Sequence, residues 1–447
     1  KANYIAQARM NRAYQYYKLV RTFGDVPLVT RVLDVNDQAE LYGPRTARNT
    51  VMDFVLTDID YACANIKAQS GKTVFSKDMA QAMKAEICLF EGAYAKYNTT
   101  DNARATKFFG EVVKACEAVM PSYELCADYQ SLYNSVRVAS NGIPGLTENK
   151  EVIFMKPYEQ NVFMHSLLDW TSSSTAIAGI TKDAFDSYLF LDGKPASQHP
   201  EASDAGELVD VNGGKEYSIA KVLQLRDKRL SATTNDVVYF NGMPKKYDNT
   251  MSMTSSSGYG VKKYRNDLIG YDATTTANKA YTCAPIYWLA EIYLAYAEAK
   301  AELGTITDAD LAATINKLFK RAGLPEQTVA GLEGIGDTAN NMGVSSLIWE
   351  IRRCRRCELI MDNDIRYWDL VRWNKLELLD NSKYPNVLLG ANLSAATGFT
   401  NLVTLTNGYI NASSGAVRKY TDREKLFPIP AKQIQLNKQL EQNPGWN

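Results

Sequence analysis

Apolar residues recur three and four positions apart through the first quarter of the chain, and this spacing predicts amphipathic helices. Ala6, Met10, Ala13, Tyr17 and Val20 share one face of a first helix, which Gly24 should stop before Asp25-Val26-Pro27 leads away extended. Val51, Val55, Ile59, Ala62 and Ile66 form the stripe of a second helix, with Asn49 as its expected N-cap. A third begins at Ser76 and turns Met79, Met83, Ile87, Phe90, Tyr94 and Tyr97 inward. A fourth carries Phe108, Val112, Cys116 and Val119 and ends before Pro121.

The pattern then changes. From Ser122 to Ala284, Gly, Ser, Thr, Asn and Asp rise and the helical period fades, which predicts loops with short extended pieces at Glu151–Met155 and Asp236–Phe240. Helices return at Pro285, expected in a first turn, with Leu289, Tyr293, Tyr296 and Lys300 on one face. Further helices are predicted over Asp308–Ala322, Val344–Met361 and on to Leu379, then an extended Phe427-Pro428-Ile429-Pro430 and a short helix or turn near Lys432–Asn437. The fold class is therefore all-α: a scaffold of helical hairpins packed like tetratricopeptide (TPR) repeats, with an irregular, loop-rich second lobe containing short strands. Residues 1–121 and 285–447 make the scaffold, and 122–284 the lobe expected to bind ligand.

Composition narrows the function. Lys+Arg and Asp+Glu number 50 each, so the chain lacks the basic excess of a nucleic-acid binder. Seven cysteines show no disulfide framework, and Cys354-x-x-Cys357 lies in a helix among arginines with only His165 and His199 elsewhere in the chain. A zinc site is not expected. Asp210-Val211-Asn212 resembles the start of a calcium loop but lacks the closing Glu, since Lys221 stands there. No cofactor is expected, and only an incidental calcium ion is left open. No run of apolar residues is long enough to span a membrane. The chain opens without signal peptide or lipidation cysteine, so the natural protein is expected to start earlier.

Candidate chemistry is that of binding. No nucleotide, hydrolase or zinc-protease motif occurs. Glu291 and Glu298, one heptad apart, read as solvated or salt-bridged rather than as a catalytic pair. Arg352, Arg353, Arg355 and Arg356 fan around a helix and suit internal ion pairing. Arg366, Asp369 and Arg372 repeat every three residues and form a bracing ladder with Trp373 packed behind it. There are 27 tyrosines, and flat rings in polar loops suit the C–H faces of sugars. Trp170, Tyr239, Tyr259, Tyr271 and Tyr42 are the ligand-contact candidates, although each ring could equally plug a core.

Four stretches together resemble the SusD/RagB family of outer-membrane lipoproteins. They are RAYQYYKLVRTFGDVPLV (12–29); PIYWLAEIYLAYAEAKAELG (285–304) with INKLFKRAGLP (315–325); RRCRRCELIMDNDIRYWDLVRW (352–373); and LFPIPAKQIQLNKQLEQNPGW (426–446). Weaker agreement appears at DGKP (192–195) and RDKRL (226–230). The resemblance implies a lipid-anchored nutrient-binding protein of the bacterial cell surface. Such a protein captures oligosaccharides, or sometimes peptides, and hands them to a SusC-like TonB-dependent transporter without bond-breaking chemistry. Two features depart from the family: the lipobox cysteine is missing, and Cys354 and Cys357 stand where charged residues are common. The shared motifs are scaffold motifs and carry no ligand residues. The rival functions are an all-α glycoside hydrolase and a TPR-type adaptor for peptides.

Overall fold

The computed structural model describes residues 1–68, 71–172, 178–211, 213–238, 255–270, 276–396 and 404–446. Tyr239 and Tyr271 lie outside the described residues, as do Phe240 and Asn212.

Four long helices form as their periodicity predicts: Ala2–Phe23, Arg48–Asn65, Lys77–Asn98 and Asn102–Val119. They pack as two antiparallel hairpins around one apolar core. Ser76 caps the third helix, its hydroxyl accepting from Met79 N–H at 3.1 Å. Asn49 is not a cap. The second helix starts at Arg48, whose N–H is taken by Asp25 Oδ1 at 2.8 Å, so the turn after Gly24 caps the helix that follows it.

Pro285 does not open a helix. Ala284–Trp288 is a strand, antiparallel to Val152–Lys156, and the helix begins at Leu289. The Glu151 carbonyl accepts the Leu289 N–H at 2.9 Å, joining the helix start to the strand pair. Asp308–Ala322 breaks at Thr314 into Asp308–Ala313 and Ile315–Ala322. The Val344–Met361 prediction resolves to a helix over Ser346–Glu358. A turn follows it, then a helix over Ile365–Arg372. A short hairpin of Glu207–Val211 and Gly214–Ser218 occupies the calcium-like segment, with Asp210 bonded to Lys215 at 3.0 Å. Leu389–Asn392, Tyr409–Asn411 and Leu405–Thr406 form a small sheet in that order. Among the described residues no helix is long and apolar enough to cross a membrane.

A charged layer runs through the interior. Arg352 meets Glu302 at 3.0 Å, Arg353 meets Glu350 at 2.9 Å, Arg355 meets Asp369 at 2.9 Å, and Arg356 pairs with Asp183. Arg372 and the Trp373 indole N–H both bond Glu298. Buried charges need such partners, because each loses its hydration on burial. Cys354 and Cys357 are buried in this layer. Burial pushes the Cys354 thiol up to about 11 and the Cys357 thiol up to about 12. Among the described residues no cluster of side chains could hold a metal ion.

The predicted ladder loses one rung. Asp369 gives one oxygen to Arg372 and the other to Arg355, each at 2.9 Å. With both oxygens taken, Arg366 stands apart in a separate cleft.

Candidate functional site

The strand Val152–Lys156 runs out into a tight loop closed by paired backbone hydrogen bonds of 3.0 Å between Glu159 and Phe163. The loop faces its two flanking rings onto each other. Tyr158 and Phe163 are stacked, with centroids 5.0 Å apart and planes 3° from parallel. Lys156 Nζ stands 5.2 Å from one ring and 5.0 Å from the other, a cation–π contact that fixes the pair. Phe163 is 50% exposed. Tyr158 is half-buried against an apolar cluster, so the pair is a platform whose outer ring, Phe163, meets solvent.

His165 anchors the far side of the loop. Its backbone exchanges hydrogen bonds of 2.8 and 3.0 Å with Ala280. Nδ1 accepts the Leu167 N–H at 3.1 Å, and Nε2 lies 2.9 Å from the Thr282 carbonyl. A carbonyl only accepts, so the proton sits on Nε2 and the ring is neutral. Burial, reinforced by the Lys156 charge, lowers its pKa further from the ordinary value, against the bond to Thr282. The imidazole lies 4.5 Å from Tyr158, edge to face.

Below this shelf lies a cavity of ≈ 240 Å³, lined in part by Tyr158, His165, Leu167, Tyr264, Met361 and Asn363. That is just under the roughly 300–1,000 Å³ of pockets that enclose a whole drug-sized ligand. It suits one ring or one chain end, with the remainder lying on the shelf. The floor is polar. Tyr133 donates to Asp362 Oδ2 at 3.0 Å, Tyr264 donates to the Met361 carbonyl at 2.8 Å, and Lys263 Nζ holds both Asp362 oxygens at 2.8 Å. Burial pulls Lys263 down and Asp362 up, and their mutual contact opposes both shifts. The turn Met361–Asp364 carries three residues at positive φ: Met361 at 63°, Asn363 at 43° and Asp364 at 57°. Strain of this kind is retained where the surrounding structure holds it in place. Here it points Asp362 inward and leaves Asn363 at the cavity.

Trp170 belongs to this face. It lies on the short helix Leu167–Ser172, not in a loop, and is 54% exposed. Leu168 and Thr171 turn inward, so Leu167 and Trp170 share the outer face, three residues apart. Tyr259 does not belong to it. It is 1% exposed and stacks on Phe185 at 4.5 Å within an apolar cluster, which makes it a core residue. Tyr42 is 44% exposed but ends the short helix Gln38–Leu41, in a segment whose Gly43 carbonyl accepts from Asn437 at 2.9 Å. The residues missed from sequence are Tyr158, Phe163 and Asn363. The one available signal was a polar Glu-Gln-Asn turn between two aromatics at the exit of a predicted strand.

A second cavity, of ≈ 280 Å³, lies inside the scaffold among Tyr14, Glu86, Glu291, Arg355 and Trp368. Burial pushes the Glu291 carboxyl up to about 8; Arg355 opposes the shift, and Glu86 and Asp369 add to it.

The pattern of the SusD family matches residues 146–446. A SusD-like protein P38 from Formosa agariphila is 35% identical over 97 residues, covering 22% of this chain and 19% of the relative. The chain thus matches about a fifth of that relative's length. A SusD-like carbohydrate binding protein from Bacteroides fragilis superposes with a TM-score of 0.67 at 23% identity, covering 98% of this chain and 80% of that one. A laminarin binding SusD-like protein superposes at 0.54 and 19% identity, covering 100% and 80%.

Proposed function

Because the chain belongs to the SusD family, we propose that it captures oligosaccharides at a bacterial cell surface and passes them to a SusC-like TonB-dependent outer-membrane transporter. The anchor is an N-terminal lipid, and the protein binds its ligand without cleaving it. The observation that carries the glycan reading is the stacked Tyr158–Phe163 pair, in which a half-buried Tyr158 lines a cavity with a polar floor and Phe163 is exposed beside it. Sugar C–H faces lie on such rings while neighbouring side chains take the hydroxyls. The laminarin-binding and carbohydrate-binding relatives support the same ligand class. The interior carboxylates Glu298, Asp369 and Glu302 are each locked to arginines, which suits a scaffold rather than a cleaving pair.

Calorimetric titration with laminarin and malto-oligosaccharides tests the reading, with product analysis of the same mixtures. Binding that weakens in Phe163→Ala and Trp170→Ala, with the glycan recovered intact, is expected. Binding of peptides alone would move the assignment to a TPR-type adaptor. Glycan cleavage lost in Glu291→Gln would move it to a hydrolase, since Glu291 is the cavity-lining acid that stays protonated at neutral pH.

A further inference from the structure

We propose that the cleft around Arg366 is a second binding site, one that holds the anionic group of an acidic saccharide, a uronic carboxylate or a sulfate ester. The cleft measures ≈ 650 Å³ and lies where residues 181–187, the Ser346–Glu358 helix and residues 378–388 meet. Arg366 lines it from the Ile365–Arg372 helix. Among the described residues its guanidinium makes no hydrogen bond and no ion pair.

The arginines of the neighbouring Ser346–Glu358 helix have acids of their own. Arg353 has Glu350 and Asp337, Arg355 has Asp369, and Arg356 has Asp183. Asp186, the second acid on the cleft wall, is held by Lys182 at 2.6 Å. Five basic side chains line the cleft against two acidic ones: Arg353, Arg356, Arg366, Lys383 and Arg418 against Asp183 and Asp186. Both acids are already engaged. Burial and the adjacent Arg356 pull the Arg366 guanidinium down to about 9, the behaviour of a cation short of a counter-ion.

A guanidinium presents a planar fork that carboxylate and sulfate oxygens match in parallel. An oxyanion seated there would supply the missing counter-charge. The walls give the rest of the ligand its character. Trp349, fixed by its indole N–H to Asp337 at 3.0 Å, and Tyr384 offer rings, and Asn341 and Asn386 offer amides. Rings with neutral polar groups around a fixed charge suit a sugar bearing an acid. The sugar part rests on the glycan reading above; the anion part rests on Arg366 alone.

The test is calorimetry and thermal unfolding at low salt with glucuronate, glucose and inorganic sulfate. Glucuronate should bind more tightly than both and raise Tm, and the gain should fade with added salt. Arg366→Gln should lower glucuronate affinity about tenfold or more, the scale of a charge-assisted pair. Arg366→Lys should restore little of it, because the fork is lost. The unliganded Tm of Arg366→Gln should equal or exceed the wild type, since an unpaired cation has been removed. Sulfate binding as tight as glucuronate means an adventitious ion only and overturns the proposal. Unaltered glucuronate affinity in Arg366→Gln overturns it too, as does a lowered unliganded Tm, which would make Arg366 a brace. Loss of neutral glycan binding alone would strike the function proposed above and leave this one standing.

Discussion

Arg372 lays two parallel N–H groups on Glu298, at 2.6 Å to one oxygen and 2.7 Å to the other, with both side chains buried. The Trp373 indole adds a third bond of 2.7 Å to the same carboxylate. Glu298 lies in the Leu289–Glu302 helix and Arg372 ends the Ile365–Arg372 helix. Two sequence motifs whose contacting residues stand 74 positions apart are thus the two halves of one contact. Removing either partner strands a buried charge, which costs about 3–5 kcal/mol. Glu298→Ala and Arg372→Ala should each lose stability on that scale in urea unfolding. Arg372→Lys should recover little of it, because an ammonium cannot fill both oxygens in parallel. A loss below about 1 kcal/mol, the range of an exposed surface pair, would refute the brace.

Glu298 and Glu291 should have opposite pH signatures, although they share a helix. Burial would raise the Glu298 pKa, but Arg372, with Arg352 and Arg355, overcomes it and holds the carboxyl at about 2. A depressed acid stabilises the fold above its unfolded pKa. That stability, on the order of 3 kcal/mol, is lost as pH falls from about 4.5 toward 2. Glu291 is raised to about 8. Its contribution is full below about 4.5 and is lost as pH rises from there to about 8, because over that range the unfolded state ionises while the native state keeps its proton. Glu291→Gln should therefore match the wild type near pH 5 and exceed it increasingly at pH 7 and 8.5. A pH-independent difference between the two proteins in urea unfolding would contradict this.

The helices were legible because their period is local. Ala6, Met10, Ala13, Tyr17 and Val20 are all buried as their spacing requires. Boundaries set by distant partners were not legible. Pro285 is in a strand because Val152–Lys156 lies beside it, and Arg48 opens a helix because Asp25 reaches it. The candidate site suffered most. Tyr259 and Phe163 both sit in polar sequence, and only the tertiary fold shows that Phe185 covers one and solvent meets the other. Arg366 read as a brace because helix spacing shows which residues are near Asp369, not which of them win its two oxygens.

Binding and stability should separate cleanly between those rings. Phe163→Ala and Trp170→Ala remove exposed surface and should leave Tm nearly unchanged, within the roughly ±0.5 kcal/mol of ordinary surface changes. Each should weaken glycan binding about tenfold, as expected of an aromatic anchor worth about 1.4 kcal/mol. Tyr259→Ala should do the reverse: a buried ring lost from a packed cluster costs about 3–5 kcal/mol. Tyr259→Phe keeps the ring and should restore most of that. Calorimetry paired with thermal unfolding distinguishes the two classes, and an unchanged affinity in both exposed variants would remove the shelf from the site.

The C-terminal motif should prove to be a clasp on the first helix. Phe427 N–H donates to the Thr22 carbonyl at 2.8 Å. Asn443 donates to Phe23 and Phe427 carbonyls at 3.0 and 2.7 Å, and its oxygen accepts from Arg45 at 2.7 Å. Gly24 makes room for this. Its φ is +74°, and a Cβ there would stand 3.0 Å from the Leu426 side chain. The first and last motifs are therefore joined in the same way as the middle two. Asn443→Ala leaves two part-buried carbonyls and a guanidinium without this partner, at about 1–3 kcal/mol for each group that water cannot reach. Asn443→Asp should be no rescue, because a carboxylate cannot donate to either carbonyl. Amide hydrogen exchange is the decisive measurement. In Asn443→Ala the last turn of the first helix and residues 426–446 should lose protection together, while the Leu289–Glu302 helix keeps its own. Protection lost only in the tail would mean that the tail rests on the scaffold without holding it.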